Sequence, residues 1–202
     1  MRSSSRVAIS ACVSLLLSFT LLAAAIGSEY WYIIEMNPLN RSHMEDLSSH
    51  SGLWRIHEGG KVYFFTAAES NYTESELQML NMHSVIVVVL PISLVLLVLG
   101  GICGLVASLV RSRALLTGTA SYLLLCSLLT LCGVVLYIMY SYQALAETER
   151  LVGPEGLAHV STSFGWSLAL AWLSYSLEVF SGLLLLISAH VAQPEQSRST
   201  VA

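Results

Sequence analysis

Residues 84–109 read SVIVVVLPISLVLLVLGGICGLVASL. The stretch contains no Asp, Glu, Lys or Arg, and as a helix it would be about 39 Å long. The hydrocarbon core of a bilayer is roughly 30 Å thick, so this stretch is long enough to cross it. It therefore predicts a membrane-spanning helix rather than a core helix of a soluble domain.

Three further apolar runs predict spans, at about 7–26, 114–140 and 164–189. The fourth span holds a single charged residue, Glu178, and the other three hold none. Arg2 and Arg6 precede the first run, which would also suit a cleaved signal peptide. Its length favours an uncleaved span, because the apolar part of a signal peptide is usually about 7 to 15 residues long.

The composition of the whole chain agrees with these four spans. Of 202 residues, 11% are charged and 55% are hydrophobic, whereas soluble domains average about 25% charged residues. This excludes a disordered protein, and the absence of a basic block, with a net charge of −4, excludes nucleic acid as a partner. The length leaves no room for a large soluble domain, so we expect a single domain over residues 1–202.

Positive charges predict the orientation of the chain. With both termini cytoplasmic, the short inner segments hold five arginines and one glutamate, while the outer loops 27–83 and 141–163 hold four basic and eleven acidic residues. Two N-glycosylation sequons, at Asn40 and Asn71, both lie in the first outer loop. We therefore expect a glycosylated plasma-membrane protein with cytoplasmic N- and C-termini.

The first outer loop carries strand signals. Tyr30–Ile34 is aromatic and β-branched, and Leu53–Ile56 with Lys61–Phe65 predicts a hairpin around a turn at 58–60. Residues 74–82 predict a short helix leading into the second span. The expected fold is an all-α membrane protein: a four-helix transmembrane bundle with a small extracellular antiparallel β-sheet built from both outer loops.

Trp31, followed about twenty residues later by Gly52, Leu53 and Trp54, resembles the signature of the claudin superfamily. That group includes claudins, peripheral myelin protein 22, the epithelial membrane proteins and the calcium-channel gamma subunits. Residues 24–31 resemble the first-span exit of the gamma subunits, and residues 47–55 and 163–167 resemble the transmembrane protein 114 and 235 branch. The resemblance covers nearly the whole chain and implies a claudin-like fold.

One departure from the family pattern concerns its extracellular disulfide. The pattern places a cysteine three residues after Trp54 and another several residues later, where this chain has His57 and Tyr63. All four cysteines lie inside the predicted spans. Either aromatic packing in the loop replaces the bridge, or the loop has departed from the family's role.

Glu178 is a candidate site because an ionisable side chain inside a membrane is costly, by roughly 2.5–3.5 kcal/mol on insertion scales. It would serve either ion or proton transport, or as a neutral carboxyl that bonds a neighbouring helix. No other charged residue lies mid-membrane, which favours the second interpretation. Ser174, Tyr175 and Ser181 lie within a helical turn of it and are its expected partners.

Small residues four apart in the second span, Gly100 and Gly104, predict close helix packing. The packing is either within the chain, which we favour, or between copies or with a partner. His43, His50 and His57 are spaced by seven, and solvated histidines are a simpler interpretation than a metal or pH-sensing cluster.

The sequence contains no catalytic constellation, phosphate-binding loop or metal-ligand spacing, so we expect no enzyme activity, no metal and no cofactor. The expected function is that of an auxiliary or regulatory subunit of a channel or receptor, acting through contacts in the membrane. A claudin-like junction or adhesion protein is the alternative, and a transporter using Glu178 is a remote third. The implied partners are the lipid bilayer, other membrane proteins in the same bilayer and copies of the chain itself.

Overall fold

A computed structural model describes residues 2–36, 49–58, 61–64, 74–110, 112–152 and 160–191. Within these ranges the chain forms four helices: α1 (Arg2–Gly27), α2 (Glu74–Val110), α3 (Arg113–Val152) and α4 (Trp166–Val191). All four are long and apolar enough to cross a membrane. They contain the first three predicted spans in full and the fourth from Trp166 onward.

Five strands form one antiparallel sheet. In chain order they are β1 (Tyr32–Met36), β2 (Ser49–Ser51), β3 (Arg55–Glu58), β4 (Lys61–Phe64) and β5 (Val160–Phe164). Their spatial order is β4-β3-β2-β1-β5. The segment between α1 and α2 supplies four strands and the segment between α3 and α4 supplies the fifth, as predicted. The predicted fold class, an all-α membrane protein with a four-helix bundle and a small antiparallel sheet, is confirmed.

The described elements fall into two compact units. The first unit contains residues 2–23, 90–131 and 171–191, which are parts of all four helices. The second unit contains the sheet with residues 24–27, 74–89, 132–152 and 166–170 of the helices. Each unit has an apolar core, and in the second unit Trp31, Leu53, Val134 and Tyr137 are almost fully buried.

Helices α1, α2 and α3 are longer than the predicted spans. Residues 74–82 are not a separate helix, because α2 continues from Glu74 into the span, and residues 141–152 of the second predicted loop belong to α3. Neither segment contains a glycine or proline. Once a helix has formed, each added residue contributes one hydrogen bond, so such a segment extends it readily.

The structure differs from the predictions in the bounds of several strands and in one additional strand. The first strand begins at Tyr32 rather than Tyr30, and Phe164 lies in β5, so α4 begins only at Trp166. Strand β2 was not predicted, since Ser49, His50 and Ser51 have neither β-branched nor apolar character. It exists because the neighbouring strands β1 and β3 both pair with it.

The hairpin predicted from residues 53–65 is confirmed, with β3 and β4 as its strands. Its register shows which residues of this chain lie opposite each other. His57 is opposite Val62, and Tyr63 is opposite Ile56. Positions 57 and 63 are therefore not cross-strand partners, and a bridge across this hairpin would join 57 to 62.

This register predicts the outcome of two engineered cysteine pairs. The double variant His57→Cys with Val62→Cys should form a disulfide, because directly opposite Cβ atoms are about 4.5–5.5 Å apart and need only a small approach. Labelling with a thiol-reactive polymer, before and after reduction, measures bridge formation on a gel. His57→Cys with Tyr63→Cys is the matched control and should remain reduced; equal bridging of both pairs would contradict the register.

Candidate functional site

The signature residues lie together at the end of α1, in the second unit. Trp31 is fully buried, and its indole N–H donates to the carbonyl of Ala25 at 2.7 Å. Trp54 is 44% exposed, and its indole N–H donates to the carbonyl of Ile26 at 3.0 Å. Both acceptors belong to the last turn of α1, where helix carbonyls have no partner within the helix. The two tryptophans therefore cap α1 with side-chain donors.

Backbone hydrogen bonds attach the sheet to the same place. The Trp31 N–H donates to the Ser51 carbonyl at 3.1 Å, and the Trp31 carbonyl accepts from the Gly165 N–H at 2.9 Å. The Ser167 hydroxyl lies 2.7 Å from that of Ser28. Trp31 is thus tied to β2 on one side and to the start of α4 on the other, while its ring packs on Tyr137 with centroids 4.7 Å apart.

Gly52 and Leu53, which precede Trp54 in the signature, are also closely packed. Leu53 is fully buried. A Cβ atom on Gly52 would lie 2.6 Å from the Cα of Glu29, which is closer than side chains approach backbone in proteins. Nearby, Arg55 and Glu29 form an ion pair at 3.4 Å. Position 52 requires glycine, because the backbone of Glu29 lies against it and leaves no room for a Cβ atom.

Glu178 lies in the first unit, fully buried among hydroxyl groups. The Thr130 hydroxyl of α3 lies 3.2 and 3.1 Å from the two carboxyl oxygens, and the Ser174 hydroxyl lies 3.5 Å from one of them. Ser174 in turn bonds Ser18 of α1, with hydroxyl oxygens 2.9 Å apart. We call Glu178, Thr130, Ser174 and Ser18 the buried polar cluster. It joins α1, α3 and α4.

Two of the three predicted partners of Glu178 are engaged elsewhere. Ser181 lies 2.6 Å from Ser14 of α1 and donates to the Leu177 carbonyl. The ring of Tyr175 packs against Trp172. Thr130, the nearest partner, was not predicted, because it is 48 positions away in the sequence and nothing local links the two residues.

The buried polar cluster suits helix packing better than ion transport. Within the part of the chain that the structure describes, Glu178 contacts hydroxyl groups and forms no ion pair with a basic side chain. A buried ionised carboxylate without a cation costs several kcal/mol, whereas a neutral carboxyl both donates and accepts. The geometry can therefore fix the positions of three helices.

The glycine pair of α2 lies in the same unit. A Cβ atom on Gly100 would come within 2.6 Å of the Leu123 side chain and 3.0 Å of Tyr122, both on α3. At Gly104 the nearest atoms are 3.7 Å away on Thr119 and 3.9 Å away on Leu185. Gly100 thus lies against α3 of the same chain, and Gly104 lies at ordinary contact distance.

Other predicted sites fall partly outside the described ranges. Asn40, Asn71 and His43 are not described. His50 stacks on Tyr30 with ring centroids 4.7 Å apart, and the described residues include no group of three metal-ligating side chains.

A family model described as PMP-22/EMP/MP20/Claudin tight junction matches residues 16–187, most of the chain. This protein belongs to the PMP-22/EMP/MP20/claudin family. It is accordingly a multi-pass membrane protein, and the matched region contains the whole sheet and both capping tryptophans. Its four cysteines are free and lie in helices: Cys12, Cys103, Cys126 and Cys132.

Replacing Gly52 by alanine should destabilise this claudin-family member by about 1–3 kcal/mol, the usual cost of overpacking. The new methyl group would push against the Glu29 backbone, which lies between the end of α1 and the start of β1. Thermal unfolding in detergent, followed by the fluorescence of the tryptophans, measures the loss. Gly27→Ala is the control, since a Cβ atom there meets nothing within 4 Å; equal losses in both variants would contradict the explanation.

Removing the Thr130 hydroxyl tests the buried polar cluster. Thr130→Val should destabilise the protein by roughly 0.6–1.7 kcal/mol, the range measured for hydrogen bonds between membrane helices. The loss should disappear in a Glu178→Leu background, which a double-mutant cycle of unfolding in mixed micelles detects. Thr20→Val, whose hydroxyl is exposed and bonds only its own helix, should change little. An undiminished loss in the Glu178→Leu background would show that the two side chains are not coupled.

Proposed function

We propose that this protein is an auxiliary or regulatory subunit that binds a channel or receptor in the same membrane. The observation that carries the proposal is a set of exposed aromatic side chains in the second unit, at the boundary of the membrane spans. In the proposed arrangement the chain is one claudin-like domain over residues 1–202 in the plasma membrane. Both termini are cytoplasmic and the sheet is extracellular.

The exposed Tyr30, Trp166, Phe164 and Tyr142 form two groups together with the half-buried Tyr32. We call these groups the aromatic surface: Tyr30 with Trp166, and Tyr32 with Phe164 and Tyr142. The rings of Tyr30 and Trp166 stack with centroids 6.2 Å apart. Phe164 meets Tyr32 at 5.9 Å and Tyr142 at 6.2 Å, edge to face in both cases. Despite these contacts Tyr142 is 62% exposed and Trp166 is 52% exposed.

The position of the aromatic surface favours a partner in the same bilayer. Tyr30 lies three residues beyond the end of α1, and Trp166 is the first residue of the fourth span. Aromatic side chains at this level anchor a protein in the interface of the membrane. Tyrosine and tryptophan are also the residues most often found at the centre of protein–protein interfaces. A neighbouring membrane protein presents its own surface at the same depth.

Resemblances within the family support the same assignment. Residues 24–31 resemble the gamma-subunit exit from the first span, and residues 47–55 and 163–167 resemble the transmembrane protein 114 and 235 branch. Glycans at Asn40 and Asn71 would hinder close approach of a second cell by this loop. The Gly100–Gly104 pair is proposed to serve packing within the chain, which leaves the aromatic surface for the partner.

The alternative function is a junction or adhesion protein. It is favoured by the description of the matched family, which names the tight junction. In that case copies of the chain would associate with each other, both within one membrane and between cells. The two functions differ in whether the partner lies in the same membrane or on a neighbouring cell.

Proximity labelling in living cells tests the proposal. With an enzyme fused to the C-terminus, a channel or receptor should be labelled by the native chain. Its recovery should fall about thirtyfold for Tyr142→Ser or Trp166→Ser, since an interface hot spot contributes about 2 kcal/mol or more. Phe180→Ala is the matched control, because Phe180 is a similarly exposed aromatic residue of α4 in the first unit.

Mixed cultures of expressing and non-expressing fibroblasts distinguish the alternative. A uniform surface signal agrees with the subunit function. Enrichment confined to contacts between two expressing cells, together with labelling unaffected by the aromatic variants, would overturn it in favour of adhesion.

A further inference from the structure

A cavity of about 450 Å³ lies in the first unit, between the start of α3 and the end of α4. Its lining includes Arg113 and Thr117 of α3 and Leu186, Ile187, His190 and Val191 of α4. We propose that this cavity binds the phosphate group of an anionic phospholipid taken from the surrounding bilayer.

The charged and polar side of the cavity suits a phosphate. Arg113 is the first residue of α3 and His190 lies in the last turn of α4, and the described residues that line the cavity include no acid. The planar guanidinium of arginine binds phosphate oxygens with two parallel hydrogen bonds. The Leu116 N–H donates to the Ser112 carbonyl at 3.0 Å, so α3 begins here and its N-terminal dipole adds partial positive charge.

The apolar side of the cavity indicates that the phosphate belongs to a lipid. Leu186, Ile187 and Val191 form this wall, and Ile187 and Val191 are 51% and 42% exposed. The third span begins at Arg113 and the fourth ends at Val191, so the cavity opens at the membrane boundary. A soluble phosphate compound gains nothing from an apolar wall, whereas a phospholipid presents a phosphate and an acyl chain together.

The proposed orientation gives the lipid a source. It places Arg113 and the N-terminal arginines on the cytoplasmic side, where anionic lipids are concentrated. The inference about the cavity does not depend on the partner proposed above, and its test needs neither cells nor a second protein.

Native mass spectrometry of the full chain in a neutral detergent provides the test. The probes are dioctanoyl phosphatidylserine, dioctanoyl phosphatidylcholine and the soluble headgroup glycerophosphoserine. We expect tighter binding of the serine lipid than of the choline lipid, and weak binding of the soluble headgroup. Arg113→Gln should weaken binding of the serine lipid about fivefold, the effect of losing one basic side chain beside an anionic lipid.

Arg6→Gln is the matched control, because it removes an exposed arginine from α1 that does not line the cavity. Its affinity for the serine lipid should equal that of the native chain. Arg113→Lys keeps the charge and loses the paired hydrogen bonds, so it should give an intermediate affinity for the serine lipid. This variant replaces Arg113→Gln in the test if Arg113→Gln does not fold.

Three results would overturn the proposal. Equal affinities for the serine and choline lipids would show that the cavity does not select a negative headgroup. Equal losses in Arg6→Gln and Arg113→Gln would show that only net charge matters. Glycerophosphoserine binding as tightly as the lipid would assign the site to a soluble phosphate compound.

Discussion

The sheet and the helices of the second unit depend on how the last turn of α1 ends. The last carbonyl groups of a helix have no partner in a following turn, and the indole N–H groups of Trp31 and Trp54 donate to two of those in α1. Since Trp31 also bonds β2 and the start of α4 through its backbone, one residue fixes three chain segments. The spacing of the signature residues follows from this geometry.

The resemblance places a disulfide in the first outer loop, where this chain has His57 and Tyr63 at the corresponding positions. The bridge would close a loop in the β3–β4 hairpin, and a disulfide acts mainly by restricting the unfolded chain. The described residues connect β3 and β4 to the rest of the second unit through the sheet, in which β3 pairs with β2, and through the Trp54 indole, which donates to the end of α1. The aromatic residues that remain exposed, Tyr142 and Trp166 among them, are then available for a partner.

The first unit relies on a different constraint, the scarcity of hydrogen-bond partners inside a membrane. Glu178 and the hydroxyls around it satisfy one another across three helices, so their positions are mutually dependent. At the end of the same unit Arg113 and His190 lie where the apolar helices meet water and lipid headgroups. Other hydroxyl groups of this unit, such as those of Ser93 and Ser127, donate to backbone carbonyls of their own helices.

The sequence by itself determined the four spans, the β3–β4 hairpin, the contribution of both loops to one sheet and the family signature. These features depend on hydropathy or on residues close together in the chain, which one sequence shows directly. Only the tertiary structure decided that Trp31 and Trp54 cap α1, that Thr130 rather than Ser181 lies beside Glu178, and that Ser49–Ser51 is a strand. Each of these depends on groups brought together from distant parts of the chain, because a buried donor or acceptor takes whichever partner the packing places within reach.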